Sequence, residues 1–239
     1  MGKEQFDYRS PRIFVESGLA ENSIISLDDD TTHYLKNVLR RPDGAPLRVF
    51  NGRDGEFMAL FAPQSKKVYV LEVQNRIREQ AQNLREIHLI FCPIKKDRQD
   101  FLIEKAVELG ATHFHPVLTQ QTVIRDLNET RIKKQIQEAA EQCERLDIPK
   151  LEPLVKLDQL LRSWNETIPL YAAVERSDTN PITSSSSSCA ILIGPEGGFS
   201  DDEKNTLLDH PKVTAVTLCE RILRAETAAL FSLSILASG

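Results

Sequence analysis

A single carboxylate set among glycines is the most pointed chemical feature of this sequence. Gly194-Pro195-Glu196-Gly197-Gly198 follows the apolar run Ala190–Ile193 and leads into Phe199-Ser200. Glycine leaves backbone N–H and C=O groups open to close approach by a ligand. The loop has neither the dinucleotide glycine pattern nor a phosphate-binding lysine, and Glu196 repels an anion. It suits a ligand that is neutral or cationic where it meets the protein. A second group lies downstream: Arg221, Arg224, Glu226 and Thr227 come directly before the apolar stretch Ala228–Ala237. As residue types these are two planar guanidinium forks and a carboxylate. A salt bridge at a helix start is the plain reading, and a polar reaction site is the other.

The elements that must position these groups are legible around them. Ala190–Ile193 reads as a strand buried on both faces, as in parallel sheets. Ser200 with Glu203 forms a capping box, and Asp201 and Asp202 load the first turn of the next helix. Val213–Leu218 reads as the strand that delivers the arginines. Upstream, strands at Ile87–Cys92, His113–Leu118, Leu151–Leu154 and Leu170–Val174 alternate with helices at Asp100–Leu109, Glu129–Arg145 and Leu160–Trp164. In the first of these helices Phe101, Leu102, Ala106 and Leu109 are expected to face inward. Alternation of this kind predicts an open, mostly parallel α/β sheet with helices on both faces. The ligand site then falls at the carboxyl ends of its strands.

Residues 1–76 read differently. Short strands at Arg12–Glu16, Leu47–Asn51, Glu56–Phe61 and Lys67–Val73 surround one helix, Asp30–Arg41, with an apolar stripe of Leu35, Val38 and Leu39. Asn51-Gly52 and Asp54-Gly55 supply turns, and the whole predicts a small β-barrel. Residues 77–85 are polar and read as a linker, leaving 86–239 as the second domain.

Composition sets limits. The chain has 239 residues, 27% of them charged, and a net charge of −5. An acidic balance confines any nucleic-acid contact to a local basic patch. Lys36, Arg40 and Arg41 cluster at the end of the first helix, where they either complement its C-terminus or meet phosphate. Lys95–Arg98 is either a solvated turn or a phosphate contact. Cys92, Cys143, Cys189 and Cys219 lack metal-ligand spacing and read as reduced thiols of a cytoplasmic protein without signal peptide or membrane span. His113 and His115 point the same way, but two imidazoles without a carboxylate or thiolate make a poor metal site. His33, His88 and His210 read as isolated, so no metal is expected. Ser200 lacks the Gly-x-Ser-x-Gly elbow of a serine hydrolase.

Ile193–Phe199 together with Leu218–Ala229 resembles the paired signature of the SPOUT class of S-adenosylmethionine-dependent RNA methyltransferases. More narrowly, it is similar to the family that methylates N3 of a uridine in 16S ribosomal RNA. The resemblance extends to Glu104-Lys105-Ala106-Val107-Glu108-Leu109-Gly110-Ala111, to Pro116, and to Glu138–Arg145 with Pro149. Two positions depart from it: Glu144 and Cys219 stand where the family usually has glycine. The resemblance implies an N-terminal PUA-like barrel that binds RNA and a C-terminal domain with a deep trefoil knot, paired as a homodimer through that domain. It implies cofactor contacts from Ala173, Ile193, Gly194, Pro195, Glu196, Gly197, Gly198, Leu218, Cys219, Ile222 and Leu223. The sulfonium cofactor is cationic and carries no phosphate, which agrees with Glu196.

The same resemblance gives Arg221, Arg224 and Glu226 catalytic roles, since alkylating N3 needs a proton acceptor and a cation beside the uracil oxygens. It makes Arg12, Lys36, Arg40, Arg41, Lys95 and Arg98 candidate RNA contacts, with 16S ribosomal RNA or the assembled small subunit as partner. Two alternatives stay open on the residues alone. One is another small-molecule enzyme using the same pocket. The other is a non-catalytic RNA-binding ribosome assembly factor of the same fold.

Overall fold

The computed structural model describes residues 10–65, 68–82, 85–174 and 179–238. The chain forms two compact units, Met1–Asn83 with Glu141–Ile148, and Leu84–Ala140 with Pro149–Gly239. No helix among the described residues is long and apolar enough to cross a membrane.

The first unit is built on a five-stranded sheet of β1 (Arg12–Phe14), β2 (Ile24–Ser26), β3 (Ala45–Phe50), β4 (Glu56–Pro63) and β5 (Tyr69–Arg78), in the order β1-β3-β4-β5-β2. β2 escapes sequence reading because three residues carry too little alternation to register. Leu47, Val49, Ala59, Phe61 and Leu71 fill its core. In the β3–β4 loop Gly55 has a φ of +94°, and a Cβ there would lie 2.3 Å from the Arg78 carbonyl oxygen, so only glycine fits.

The helix expected over 30–41 is shorter and irregular. α1 (Asp29–His33) is capped by Asp28, whose carboxylate accepts from the Thr31 N–H at 2.6 Å, and it passes into a π-helical turn at Tyr34–Val38. The wider turn shifts the side-chain phase. Leu35 stays fully buried, but Val38 swings out to 58% exposure and leaves the expected stripe.

Two expected boundaries move. β5 runs through Arg78, which pairs in register with Glu56, so residues 77 and 78 belong to the sheet rather than to a linker. Residues 83 and 84 of that expected linker lie outside the described residues. Residues 141–148, expected in the second domain, belong to the first unit. The cause is a buried cluster of charge. Arg12 Nε lies 2.7 Å and Arg78 Nη1 3.1 Å from the fully buried Glu56 carboxylate. Arg12 also donates to the Glu141 carbonyl at 3.3 Å and Arg78 to the Glu144 carbonyl at 3.0 Å. Arg48 reaches the Glu144 carboxylate at 2.8 Å.

Glu144 has a φ of +61°, in the left-handed region, where a side chain costs about 1 to 2 kcal/mol. Its hydrogen bond from Arg48 holds its carboxyl below the usual carboxylate range. Alanine here would lose the ion pair and keep the strain, whereas glycine would lose the pair and relieve it. Urea denaturation should therefore find Glu144→Gly more stable than Glu144→Ala by about 1 kcal/mol. Equal stabilities would show that the backbone there is unstrained.

The second unit is a parallel sheet of seven strands: β6 (Ile87–Phe91), β7 (His113–Leu118), β8 (Lys150–Leu151), β9 (Val155–Lys156), β10 (Leu170–Ala173), β11 (Cys189–Ile193) and β12 (Val213–Val216). The order is β12-β10-β11-β6-β7-β8, with β9 pairing β7 beyond β8. The helices are α2 (Lys96–Glu108), α3 (Glu129–Gln142), α4 (Leu157–Ser163), α5 (Asp201–Asp209) and α6 (Ala225–Ala237). Every residue of β11 is buried, as a central parallel strand requires. α2 begins four residues earlier than expected, so Lys96–Arg98 is its first turn and not a solvated loop. Its buried face is Gln99, Leu102, Ile103, Ala106 and Val107. Phe101 lies off that face and is 49% exposed, against the expectation that it points inward.

His88 is not isolated. Parallel register sets it opposite His113, with His115 opposite Ile90, so three imidazoles share one face of the sheet beside Trp164. Burial pushes His113 down to about 4 and His115 to about 3, and also lowers His88, so all three are neutral near pH 7.

Candidate active site

Three neighbouring strands, β10, β11 and β12, end together at Ala173, Ile193 and Val216, and the loops leaving β11 and β12 wall a cavity of about 640 Å³. Local chemistry fixes the first loop. A Cβ on Gly194 would lie 3.0 Å from the ring of Phe199, which anchors the loop in the core. Gly198, with φ at +74°, donates to the Pro195 carbonyl at 2.8 Å and closes the turn. Ser200 then starts α5 as the sequence predicts. Its hydroxyl accepts from the Glu203 N–H at 3.2 Å, and the Glu203 carboxylate accepts from the Ser200 N–H at 3.0 Å. The other Glu203 oxygen accepts from the Gln120 N–H at 2.8 Å and ties the loop after β7 to the same helix.

The second loop begins earlier than expected. Thr217 leaves β10 and bridges to Pro181, so Leu218 is a loop residue rather than the end of β12. Among the described residues the non-glycine positions with left-handed φ are Asn22, Arg40 and Glu144. Cys219 is not one of them, so its backbone does not require glycine, and its thiol donates to the Arg221 carbonyl at 3.3 Å.

Every residue named above as a cofactor contact lines this cavity, from Ala173 and Ile193 through Gly198 to Leu218, Cys219, Ile222 and Leu223. Arg221 and Arg224 line it too, and both are exposed. Arg224 is the N-cap residue of α6 in an extended conformation, and its side chain does no capping. Among the described residues neither arginine takes part in an ion pair. The carboxylates of Glu196 and Glu226 go instead to Arg98, at 3.4 and 3.8 Å. The simple Arg224–Glu226 salt bridge is therefore not formed. Glu226, 9% exposed in the first turn of α6, is not among the lining residues, and its Oε2 is buried without a hydrogen-bond partner among the described residues.

Sequence reading missed Lys204, Val174 and Thr217 as cavity residues. Lys204 had a signal: it lies one helical turn beyond the capping Ser200, which turns it back toward the glycine loop. Arg98 was named above as an RNA contact, but its pairing with Glu196 and Glu226 had no signal, because it depends on how α2 packs against α6.

The expected RNA contacts separate by exposure. Arg12 is 8% exposed and bound to Glu56, so it is corrected to a buried structural residue of the first unit. Lys36 is exposed, with its ammonium 4.3 Å from the Tyr69 ring centroid. Arg40 is exposed, and Arg41 is half-buried and donates to the Pro46 carbonyl at 3.4 Å. Lys95 is exposed at the N-cap of α2.

Residues 80–237 match the model of an RNA methyltransferase domain. Ribosomal RNA small subunit methyltransferase E of Rickettsia conorii is 35% identical over 229 residues, covering 93% of this chain and 93% of that protein. The protein of the same name from Bacillus subtilis is 31% identical over 248 residues, covering 93% and 94%. Among solved structures, the ribosomal RNA small subunit methyltransferase E of Neisseria gonorrhoeae bound to S-adenosyl methionine aligns with a TM-score of 0.82 at 26% identity, covering 95% of this chain and 96% of that one.

Proposed function

The chain belongs to the RNA methyltransferase family of ribosomal RNA small subunit methyltransferase E, and from that premise we propose that it methylates N3 of a uridine in 16S ribosomal RNA on the assembled small subunit. The observation that carries this reading is one cavity in which a glycine loop and two arginines, neither in an ion pair among the described residues, meet at the carboxyl ends of parallel strands.

S-adenosylmethionine is the cofactor, and the residues present fit it. A cavity of about 640 Å³ is of the usual size for a small-molecule site. Its backbone at 194–198 and the side chains of Leu218 and Leu223 offer apolar and hydrogen-bonding surface to an adenosine. Glu196 complements positive charge, and Lys204 can meet a carboxylate. When bound, the cofactor supplies an electrophilic methyl group on a cationic sulfur.

The chain's own residues prepare the acceptor. N3 of uracil is a weak nucleophile until its imide proton leaves, and the charge so formed spreads onto O2 and O4. Arg224 and Arg221 are placed to receive that charge as fixed forks. Of the two carboxylates, Glu196 lines the cavity and serves as proton acceptor, oriented by Arg98 at 3.4 Å. Glu226 holds the other side of Arg98 and so positions it. The test is nucleoside mass spectrometry after incubating the protein and S-adenosylmethionine with unmodified small subunits or naked 16S RNA. 3-Methyluridine is expected from the subunits; methylation elsewhere on the RNA, or none, refutes the reading.

Family membership further supports a trefoil-knotted path in the second unit and a PUA-like RNA-binding role for the first. An untied path in an experimental structure would remove the first expectation. For the second, replacing Lys36 and Arg40 by alanine should flatten the salt dependence of RNA binding by roughly 0.7 to 0.9 per lost phosphate contact. An unaltered slope would leave these residues as ordinary surface charge.

A homodimer is part of the same proposal. α6 buries Leu233 and Leu236 completely yet leaves Phe231 37% exposed and Leu230 and Ile235 partly so, more apolar surface than one core face needs. Light scattering at micromolar concentration should give a dimer mass, and a monomer there would reject the pairing.

A further inference from the structure

At the other end of the sheet, where β6 and β7 begin, lies a group of side chains with no part in the chemistry above. Glu86, His88 and His113 each place a ligand atom within 4.8 Å of the others. His88 and His113 are buried, and Glu86 is half-exposed, so the cluster touches solvent on one side. We propose that Glu86, His88 and His113 form a binding site for a divalent transition-metal ion of the zinc class.

The donor set is two imidazoles and one carboxylate, which suits Zn²⁺ and its neighbours. Ca²⁺ and Mg²⁺ prefer oxygen alone. Both rings can take the tautomer that an ion needs. His88 Nδ1 lies 2.9 Å from His115 Nε2, and a proton donated along that contact leaves the lone pair of His88 Nε2 facing Glu86 Oε2 at 3.1 Å. A bare lone pair opposite a carboxylate is repulsive unless a cation lies between them. His113 Nδ1 lies 3.0 Å from the Thr112 hydroxyl, whose own proton can go to the Ile87 carbonyl at 3.2 Å. His113 then donates to Thr112 and turns an unprotonated Nε2 to the cluster. Such second partners, His115 and Thr112 here, are what fix the orientation of metal-bound histidines.

One adjustment is required. The His88 and His113 rings are stacked at 4.2 Å with planes only 9° apart, so their lone pairs run parallel and do not yet converge. A modest rotation of the His113 ring about its soft terminal torsion turns them toward each other and lengthens its contact with Thr112 as it does so. Glu152 adds negative charge near His88 and Lys150 adds positive charge, so neither sign dominates the surroundings. An ion here would join the beginnings of two adjacent strands, β6 and β7.

The chain carries its own reporter, because Trp164 is the sole tryptophan and its ring centroid lies 5.6 Å from His88 and 5.4 Å from His115. Full-length protein treated with chelator should be titrated with Co²⁺ while tryptophan emission is followed, and Zn²⁺ then added in competition. Saturable quenching at about one equivalent, reversed by Zn²⁺, is expected. Glu86→Gln and His113→Gln should each weaken it by about tenfold or more. Glu86 is half-exposed, so its variant keeps the test decisive if the buried His113 variant fails to fold. Absence of saturable quenching, or an unchanged midpoint in Glu86→Gln, overturns the proposal. The latter outcome would leave the alternative tautomers, in which His115 donates to His88 and His88 to Glu86, as the full account of the cluster.

Discussion

Replacing Arg224 with alanine is expected to lower methyl transfer to ribosomal RNA by on the order of a hundredfold or more, the usual scale for losing one donor to developing oxygen charge. The guanidinium lines the cavity and caps no helix. Among the described residues it forms no ion pair, so its removal breaks no visible structural contact. If it meets a uracil oxygen, its interaction grows as the N3 proton leaves and is larger in the transition state than in the bound substrate. Removing such a group lowers turnover far more than binding. Affinity for S-adenosylmethionine should stay within about threefold of the parent, on the same reasoning. Arg224→Lys should recover only part of the rate, since a point charge does not reproduce the planar fork. A large fall in melting temperature would reveal a structural role instead. Near-normal turnover in a well-folded Arg224→Ala protein would move the search to Arg221 and Glu196.

Gly197→Val should weaken S-adenosylmethionine binding by about tenfold or more. Gly197 lines the cavity, and a Cβ on it would sit 3.3 Å from both Cβ and Oε1 of Gln121. That is tight enough to shift the loop or its neighbour, and the branched side chain adds bulk at the wall. Overpacking of this kind costs about 1 to 3 kcal/mol, and each 1.4 kcal/mol is roughly tenfold in affinity. Because the Gln121 contact is present without cofactor, part of this cost falls on the free protein, whose melting temperature should drop modestly while the folded variant still loses affinity. Gly197→Ala should lose less, because it adds only the Cβ. Calorimetry with S-adenosylmethionine decides the matter: unchanged affinity in the valine variant would place the cofactor away from the glycine loop.

The sequence by itself determined the parts of this protein that depend on near neighbours. Ala190–Ile193 could only be a strand covered on both faces, Ser200 and Glu203 cap a helix within one turn, and Gly198 closes a turn that a side chain would strain. Each is a contact between residues a few positions apart, so spacing and residue type were enough. The tertiary structure alone decided the rest. Arg98 holds Glu196 and Glu226 because α2 and α6 pack together, not because of any pattern around residue 98. Arg12 is buried because Glu56 lies opposite it, and the same buried charge draws 141–148 into the first unit. Val38 faces solvent because one π-helical turn rotates it out of phase. The histidine cluster exists because parallel register sets His88 opposite His113. Strand register and ion pairs across the chain are set by the balance of many distant contacts, and local periodicity carries no record of them.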